Sequence, residues 1–463
     1  MSSRNLVLGS ARELGTVGLV GGLGSAYAAV LIMTSSNLAS MASEGGGVGV
    51  LLGSVATVFI LIALYVSVVV IANCVDTVIA GRLRHIALLR LLGARGPYLR
   101  RSVMRGTALV GLAGGVAGAV AGVVLADLTR VVLVARGTLP EADYALVHPL
   151  VLLSTAAVAV AAMLAGWLGS RAVLRVSPAQ AMSGTATELP RSRSGSVLRA
   201  IGALMLIGGG FLVLLLSTWL GEDGSAAGFL AAFFGSVLSA TGLLIGARFV
   251  IPALVGACSR LVGTRPPAVL ARRNAVKDPL RTTRSTMGLV IGVTLVTTFA
   301  SGMQALRDSV GGWELDPAQQ VQTDQILATT TAILIAIVVI SSVIAAVGFV
   351  STMSLTVIQR QREIGLLRSL GFTQVQVRSM ITRESIALSA TAVAFGMLLG
   401  LVYGSVGAQS LIGFGTDGFV WGVPWLVLAG IAACGVVLVL AASRAPARRA
   451  VAVTPIEALR IEA

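Results

Sequence analysis

Two short segments, 278 residues apart, repeat one pattern of arginine, leucine and glycine. The first reads RHIALLRLLGA from Arg84 to Ala94, and the second reads REIGLLRSLGF from Arg362 to Phe372. In each segment apolar residues recur at close to helical spacing, and arginines that can make charged contacts flank them. The pattern predicts a docking surface for a protein partner, with an apolar centre and a charged rim, that the chain uses twice.

The candidate docking residues lie at matching positions in the two segments. They are Arg84, Ile86, Leu89, Arg90 and Gly93 in the first copy and Arg362, Glu363, Ile364, Leu367, Arg368 and Gly371 in the second. Each glycine suits a turn at which a helix ends. Anionic lipid heads are the alternative partner of such loops, but attraction to lipid would not fix isoleucine, leucine and glycine in both copies. Because His85 stands opposite Glu363, the two docking sites differ in charge.

The composition indicates an integral membrane protein. Of 463 residues, 56% are hydrophobic and only 11% are charged, whereas soluble domains carry about 25% charged residues. The net charge of +15 could suggest nucleic acid as a partner. The basic residues lie in short segments between apolar runs, however, as the positive-inside rule predicts for a membrane protein. We therefore expect membrane lipid, and no nucleic acid, as a partner.

Hydropathy predicts an all-α fold with ten membrane-spanning helices, since about 20 apolar residues cross a bilayer. The predicted spans are residues 15–33, 49–74, 105–127, 149–168, 199–217, 227–249, 286–304, 328–350, 382–404 and 421–442. With both termini in the cytoplasm, 31 of the 34 basic residues lie inside. This split predicts a multi-pass protein of the bacterial cytoplasmic (inner) membrane, with outer loops too short for a folded domain.

The repeat continues into the helix that follows each docking segment. Each of these helices carries three glycines at four-residue spacing: Gly114, Gly118 and Gly122 in the first copy, and Gly396, Gly400 and Gly404 in the second. This spacing places the glycines on one helix face, where the backbone of a neighbouring helix can approach closely. We therefore predict that both glycine ladders pack against other helices.

The repeat also predicts the domain organisation. A third match pairs residues 171–182 with residues 448–459 and ends each copy. We expect two parallel four-helix units, at residues 1–183 and 266–463, related by a pseudo-twofold axis along the membrane normal. A linker rich in Ser, Gly and Pro and two central helices occupy residues 184–265 between them.

The second copy resembles the FtsX-like permease family of ABC transporters, which includes the MacB-type and BceB-type proteins. The resemblance rests on QRQREIGLLRSLGFTQVQV from Gln359, the glycine-rich helix after it, and VTPIEALR from Val453. The first copy matches less well because His85 replaces the glutamate that is usual in the family. Ten helices with two such units resemble the BceB-type arrangement without its large extracellular domain.

The resemblance implies the permease subunit of an ABC transporter that works with a separate ATPase. The partner ATPase would bind ATP and Mg²⁺, since the chain lacks the phosphate-binding pattern GxxxxGK[ST]. The two docking segments would occupy the two equivalent grooves of an ATPase dimer, and we expect two copies of one ATPase. The expected substrate is amphipathic (a lipid, a lipoprotein or a peptide antibiotic), exported or extracted from the outer leaflet.

Two other functions fit parts of the sequence. A subunit that relays ATPase motion to an outer partner would bind it within the membrane or through residues 129–148 or 305–327. A secondary transporter would be expected to carry ionisable residues in mid-membrane, but Asp76, Asp127 and Glu384 lie at the ends of predicted spans. The threonines at 294, 297 and 298 suit contacts between helices better than a substrate path.

The sequence predicts no enzyme and no metal centre. Cys74, Cys258 and Cys434 have no paired spacing and lie in or beside apolar segments. The two histidines, His85 and His148, fall on opposite sides of the membrane in the predicted topology. We therefore assign no catalytic, cofactor-binding or metal-binding residue.

Overall fold

The computed structural model is helical wherever it describes the chain. The described residues are 96–135, 149–175, 193–225, 227–258, 279–311 and 368–437 except 417, with parts of 18–36 and 57–69 and residues 316 and 366. Over these residues there is no β-strand. The all-α prediction is therefore confirmed for them.

Seven helices carry most of the described residues. They are α1 (Gly96–Ala135), α2 (Pro149–Arg175), α3 (Arg193–Glu222), α4 (Ala227–Cys258), α5 (Pro279–Val310), α6 (Gln374–Ile412) and α7 (Trp425–Val437). Residues 21–30 are also helical, as are the described residues within 57–69. Pro149 and Pro279 stand at the first position of their helices. A backbone N–H at this position has no acceptor within the helix, so proline, which lacks the N–H, costs no hydrogen bond.

Five helices of the described chain are long and apolar enough to cross a membrane. The candidate spans are Met104–Val132, Val197–Glu222, Ala227–Ala257, Thr286–Val310 and Gln374–Gly415. Large apolar side chains on α3, such as Leu204 at 70% and Leu215 at 71%, are exposed. Such surfaces are stable in lipid and costly in water. The chain is therefore a multi-pass membrane protein.

Several helices extend beyond the spans predicted from hydropathy. The 40 residues of α1 measure about 60 Å, twice the thickness of the hydrocarbon core. Helix α6 begins at Gln374, whereas the predicted span began at 382. The first turns of α6 alternate polar with apolar residues, so they fell outside the predicted span. Glu384 therefore lies within the helix, where it is buried, rather than at its end. The predicted span 328–350 and both predicted domain boundaries lie outside the described residues.

Helix α6 lies at the centre of one group of helices. It packs along α5 and contacts α3 and α4, while α3 and α4 pack on each other. One buried cluster joins Ile251 of α4, Val293 of α5 and Leu388 of α6. A second joins Leu214 of α3 to Leu399 of α6. Movement of α6 would therefore disturb the packing of all three neighbouring helices.

Aromatic residues gather where α3 and α6 end. Trp219 lies near the end of α3, and Phe414, Trp421 and Trp425 follow α6; all are exposed. The ring of Phe419 lies against that of Trp421, with centroids 4.9 Å apart. Tryptophan rings are enriched at the level of the lipid headgroups. These side chains therefore mark one boundary of the membrane.

Candidate functional site

The second glycine ladder forms the contact between α6 and α5. A Cβ atom on Gly396 would lie 3.1 Å from the carbonyl oxygen of Val290, and one on Gly400 would lie 2.7 Å from that of Thr294. Gly404 faces the carbonyl group of Thr298 in the same way. The backbones of α5 and α6 therefore approach more closely than any larger residue would allow.

The first glycine ladder makes the same kind of contact with residues 18–26. Each glycine of this ladder faces one carbonyl group of that segment: Gly114 faces Gly18, Gly118 faces Gly22, and Gly122 faces Ala26. At the repeat offset of 278, Gly118 and Gly122 correspond to Gly396 and Gly400, and in both copies the facing carbonyl groups are four residues apart. The two copies of the repeat therefore pack in the same register.

An apolar cavity of about 360 Å³ adjoins the contact between α5 and α6. It lies between these helices, α4 and the helical residues within 57–69. Its larger apolar lining residues include Ile62, Phe233, Leu244, Ile291, Phe395 and Leu399. None of its described lining side chains is charged. Such a cavity suits hydrocarbon and would exclude a bare ion.

Few hydroxyl groups adjoin the cavity, and tyrosines contribute two of them. The Tyr65 hydroxyl lies 3.2 Å from Thr241 Oγ1 of α4, and the Tyr403 hydroxyl of α6 donates to Ser239 Oγ at 3.0 Å. Both bonds tie an element that lines the cavity to α4. The Oγ1 of Thr294 is buried and has no hydrogen-bond partner among the described residues. It is therefore available to a polar atom of a molecule in the cavity.

The threonines of α5 divide between two environments. Thr297 packs against Gly400, in line with the expected contact between helices. Thr294 and Thr298, to which the sequence assigned the same role, also line the cavity. The Thr298 hydroxyl donates to the Thr294 carbonyl group at 2.7 Å. The expectation of helix contacts was therefore incomplete for these two residues.

The second docking segment is described from Arg368 onward, together with Leu366. The Leu370 N–H donates to the Leu366 carbonyl oxygen at 3.0 Å, and the Gly371 N–H donates to that of Arg368 at 3.1 Å. Gly371 has φ 98°, in the left-handed region where a Cβ atom is costly. The helical turn therefore ends at this glycine.

A capping box starts α6 just after the turn. The Gln376 N–H donates to Thr373 Oγ1 at 3.2 Å, and the Thr373 N–H donates to Gln376 Oε1 at 2.9 Å. Beside this cap, Leu370 is 78% exposed and Val375 is 76% exposed. The turn therefore presents apolar side chains from a rigid helix start.

The other candidate docking residues lie outside the described residues. They are Arg84, Ile86, Leu89, Arg90, Gly93, Arg362, Glu363, Ile364 and Leu367. The sequence alone does not predict the cavity, because its lining comes from four separate segments. The residue that could have indicated the cavity was Tyr403, since a tyrosine within an apolar helix needs a partner for its hydroxyl group.

No group of His, Cys, Asp or Glu in the described chain could hold a metal ion.

These features define a multi-pass helical membrane protein whose helices pack through glycine ladders beside an uncharged cavity. The family described as FtsX-like permease C-terminal matches residues 57–178 and 335–455, together more than half of the sequence. The chain belongs to the FtsX-like permease family. The matched segments begin 278 residues apart, which is the offset of the sequence repeat. The predicted internal repeat is therefore confirmed.

Three relatives agree with this assignment. The chain is 30% identical over 138 residues to YknZ, an uncharacterized ABC transporter permease of Bacillus subtilis (30% of this chain, 33% of the relative). It is 27% identical over 168 residues to an uncharacterized ABC transporter permease of Methanocaldococcus jannaschii (34% and 41%). It is 34% identical over 131 residues to the macrolide export ATP-binding/permease protein MacB of Nitrobacter winogradskyi (28% and 19%). The alignments span less than half of each relative.

Proposed function

We propose that this chain is the membrane subunit of an ABC transporter that moves an amphipathic substrate. The observation that carries the proposal is the uncharged cavity beside the glycine-packed contact of α5 and α6. ATP hydrolysis by a separate ATPase would change the packing of α6 and so the shape of the cavity. The substrate would be exported or extracted from the outer leaflet.

The lining of the cavity suggests the chemical class of the substrate. Apolar side chains such as Phe233 and Leu399 would contact hydrocarbon, and each buried methylene group contributes about 0.8 kcal/mol. The buried Thr294 hydroxyl would bond one polar atom of the same molecule. A lipid, a lipoprotein or a membrane-active peptide antibiotic combines these two features. The absence of charge from the described lining disfavours a secondary transporter that couples to ions.

The proposed architecture has ten spans in two parallel four-helix units, residues 1–183 and 266–463, around two central helices within 184–265. The two family matches and the common register of the glycine ladders support the repeat. Both termini would lie in the cytoplasm, at the inner membrane of a bacterium, because this orientation places most arginines inside.

Two ATPase subunits would dock on the two arginine-containing segments and would bind ATP and Mg²⁺ themselves. The exposed Leu370 and Val375 support a protein contact at the second segment. Helix α6 begins there and passes Gly400 to reach Tyr403, at the cavity, about 44 Å further along. A displacement at the turn would reach the cavity through one continuous helix. The predicted helices 2–3 and 8–9 would act as the paired levers.

Photo-crosslinking in membranes tests the cavity as the substrate site. We would introduce p-benzoylphenylalanine at Leu399 in the cavity, in cells that also express the ATPase encoded nearest to this chain. The matched control carries the probe at Leu204, which faces outward from α3. We expect an adduct at position 399 that decreases when ATP and Mg²⁺ are added, and no such change at position 204. An adduct at position 399 whose yield stays the same when ATP and Mg²⁺ are added would contradict the proposal.

A relay of ATPase motion to an outer partner is the second candidate function. Ser301 of α5 donates to the Gly422 carbonyl oxygen at 2.7 Å, and the Gly422 N–H donates to Ser405 Oγ of α6 at 3.2 Å. The segment 413–424 is thus fastened to both helices and would move with them. Retained ATP-dependent labelling of this segment, in a variant that no longer binds substrate in the cavity, would favour the relay.

A further inference from the structure

We propose that a groove between α1 and α2 binds one anionic phospholipid from the leaflet in which α1 begins. The groove encloses about 670 Å³. Its lining includes Tyr98, Arg101, Arg105, Leu109, Val160 and Met163. This site is separate from the substrate cavity, and it does not depend on the proposed transport function.

The two arginines lie where a lipid phosphate would be. They are one helical turn apart on one face of α1, and both are exposed. The candidate span of α1 begins at Met104, between them, so they flank the edge of the hydrocarbon region. Guanidinium groups bind phosphate through paired, charge-assisted hydrogen bonds. The Tyr98 ring, which is also exposed, lies one turn before Arg101 and fits the level of the headgroups.

Apolar side chains continue the groove into the depth of the membrane. Leu109 follows Arg105 by one turn on the same helix, and α2 contributes Val160 and Met163 to the opposite wall. All three side chains are partly exposed, so the groove is open to a ligand. An acyl chain attached to the phosphate would lie along this apolar wall. A phosphate ion has no acyl chain and would not contact the wall.

The arginines of the groove have no internal counterion in the described chain. At the other end of α1, Arg130 forms an ion pair with Asp127 at 2.5 Å. No carboxylate among the described residues pairs in this way with Arg101 or Arg105. An external anion would therefore balance the charge of Arg101 and Arg105. At the opposite membrane boundary the protein itself supplies the anion, Asp127.

The second copy of the repeat lacks this groove chemistry. At the offset of 278, Arg101 corresponds to Ser379 and Leu109 corresponds to Ala387. Arg383, the counterpart of Arg105, donates through Nε to Ser379 Oγ at 3.2 Å. A general preference for basic residues at this boundary would act on both copies. The paired arginines and the apolar wall are therefore a specific feature of the first copy.

Native mass spectrometry of the full chain tests the proposal. The protein would be reconstituted in vesicles of phosphatidylglycerol and phosphatidylcholine and then extracted. The spectra would give the number and the type of lipid molecules that stay bound to it. For R101Q/R105Q we expect about a thirtyfold loss of affinity for phosphatidylglycerol, the equivalent of two arginine contacts. For L109A/M163A, which keeps both charges, we expect a smaller but clear loss. Size-exclusion profiles would show that each variant remains folded.

The matched control is R199Q/R378Q, which removes the same charge from two exposed arginines outside the groove. We expect it to keep its phosphatidylglycerol. Equal loss in this control would show attraction to the surface as a whole and would overturn the proposal. Displacement of the lipid by millimolar inorganic phosphate, or unchanged binding in L109A/M163A, would reduce the groove to a simple anion site and would also overturn it.

Discussion

The hydroxyl group of Tyr403 in α6 donates a hydrogen bond of 3.0 Å to Ser239 Oγ in α4, and both side chains are buried. The bond crosses the helices that enclose the apolar cavity. It therefore fixes the distance between two walls of the cavity at the level of Tyr403. Any movement of α6 that widens the cavity must lengthen or break this bond.

Loss of either partner should destabilise the protein. Tyr403→Phe leaves the Ser239 hydroxyl without its donor, and Ser239→Ala leaves the Tyr403 hydroxyl without its acceptor, so each should cost about 1–3 kcal/mol. The double variant should lose less free energy of unfolding than the two single variants lose together, because it leaves no unpaired hydroxyl group. Unfolding of the purified protein in mixed micelles would measure all three. Strict additivity would show that the bond contributes nothing.

The glycine contact between α5 and α6 should tolerate no side chain. In Gly400→Ala the new methyl group meets Thr297 and the Thr294 carbonyl group, and overpacking of this kind costs about 1–3 kcal/mol. Gly208→Ala is the matched control, since a Cβ atom there has no neighbour within 4 Å. Melting temperatures in the same detergent would compare them. Equal temperatures for the two variants would contradict the close backbone approach.

The Gln409 side chain should protect the backbone amides of the loop that follows α6 from hydrogen exchange. Its Oε1 accepts from the Val420 N–H at 3.3 Å, and its Nε2 donates to the Gly418 carbonyl oxygen at 3.2 Å. Gln409→Leu should raise amide exchange at Val420 about fivefold, because a bond of about 1 kcal/mol is lost. Gln304→Leu, which removes an exposed bond to Asp308, is the control. An unchanged rate at Val420 would show that other contacts hold the loop.

The cap of α6 should stiffen the docking turn. Thr373→Ala removes the acceptor of the Gln376 N–H and should cost about 1 kcal/mol of helix stability. We expect faster amide exchange over the first turn of α6 and weaker ATPase stimulation. Ser369→Ala, which loses only a local bond to the Leu366 carbonyl oxygen, should leave both nearly unchanged. If the two variants behaved alike, the cap would have no special role.

The sequence predicted what depends on local pattern. Four-residue glycine spacing identified faces of α1 and α6 that pack closely. Apolar runs overlap the five candidate spans of the described chain, whereas the prediction of ten spans stays a prediction. It did not predict that Gly118 faces Gly22, since this contact joins residues far apart in the chain. Helix α6 begins eight residues before its predicted span, at a capping box that hydropathy does not detect.

The cavity could not be predicted from the sequence for a related reason. Its walls combine α4, α5 and α6 with helical residues that lie far earlier in the chain, such as Ile62. Each wall residue alone is typical of a membrane helix. Only the tertiary arrangement distinguishes Leu399, at the cavity, from Leu398, which is exposed.

ATPase coupling is tested most directly in proteoliposomes that contain this chain and its partner ATPase. Charge reversal in Arg368→Glu and Glu363→Lys should abolish both the binding of the ATPase and the stimulation of its ATP hydrolysis. Arg378→Glu, at an exposed position of α6 outside the docking turn, should retain both. Full binding and full stimulation with both docking residues reversed would contradict the central claim that the repeated segment couples the ATPase to the membrane helices.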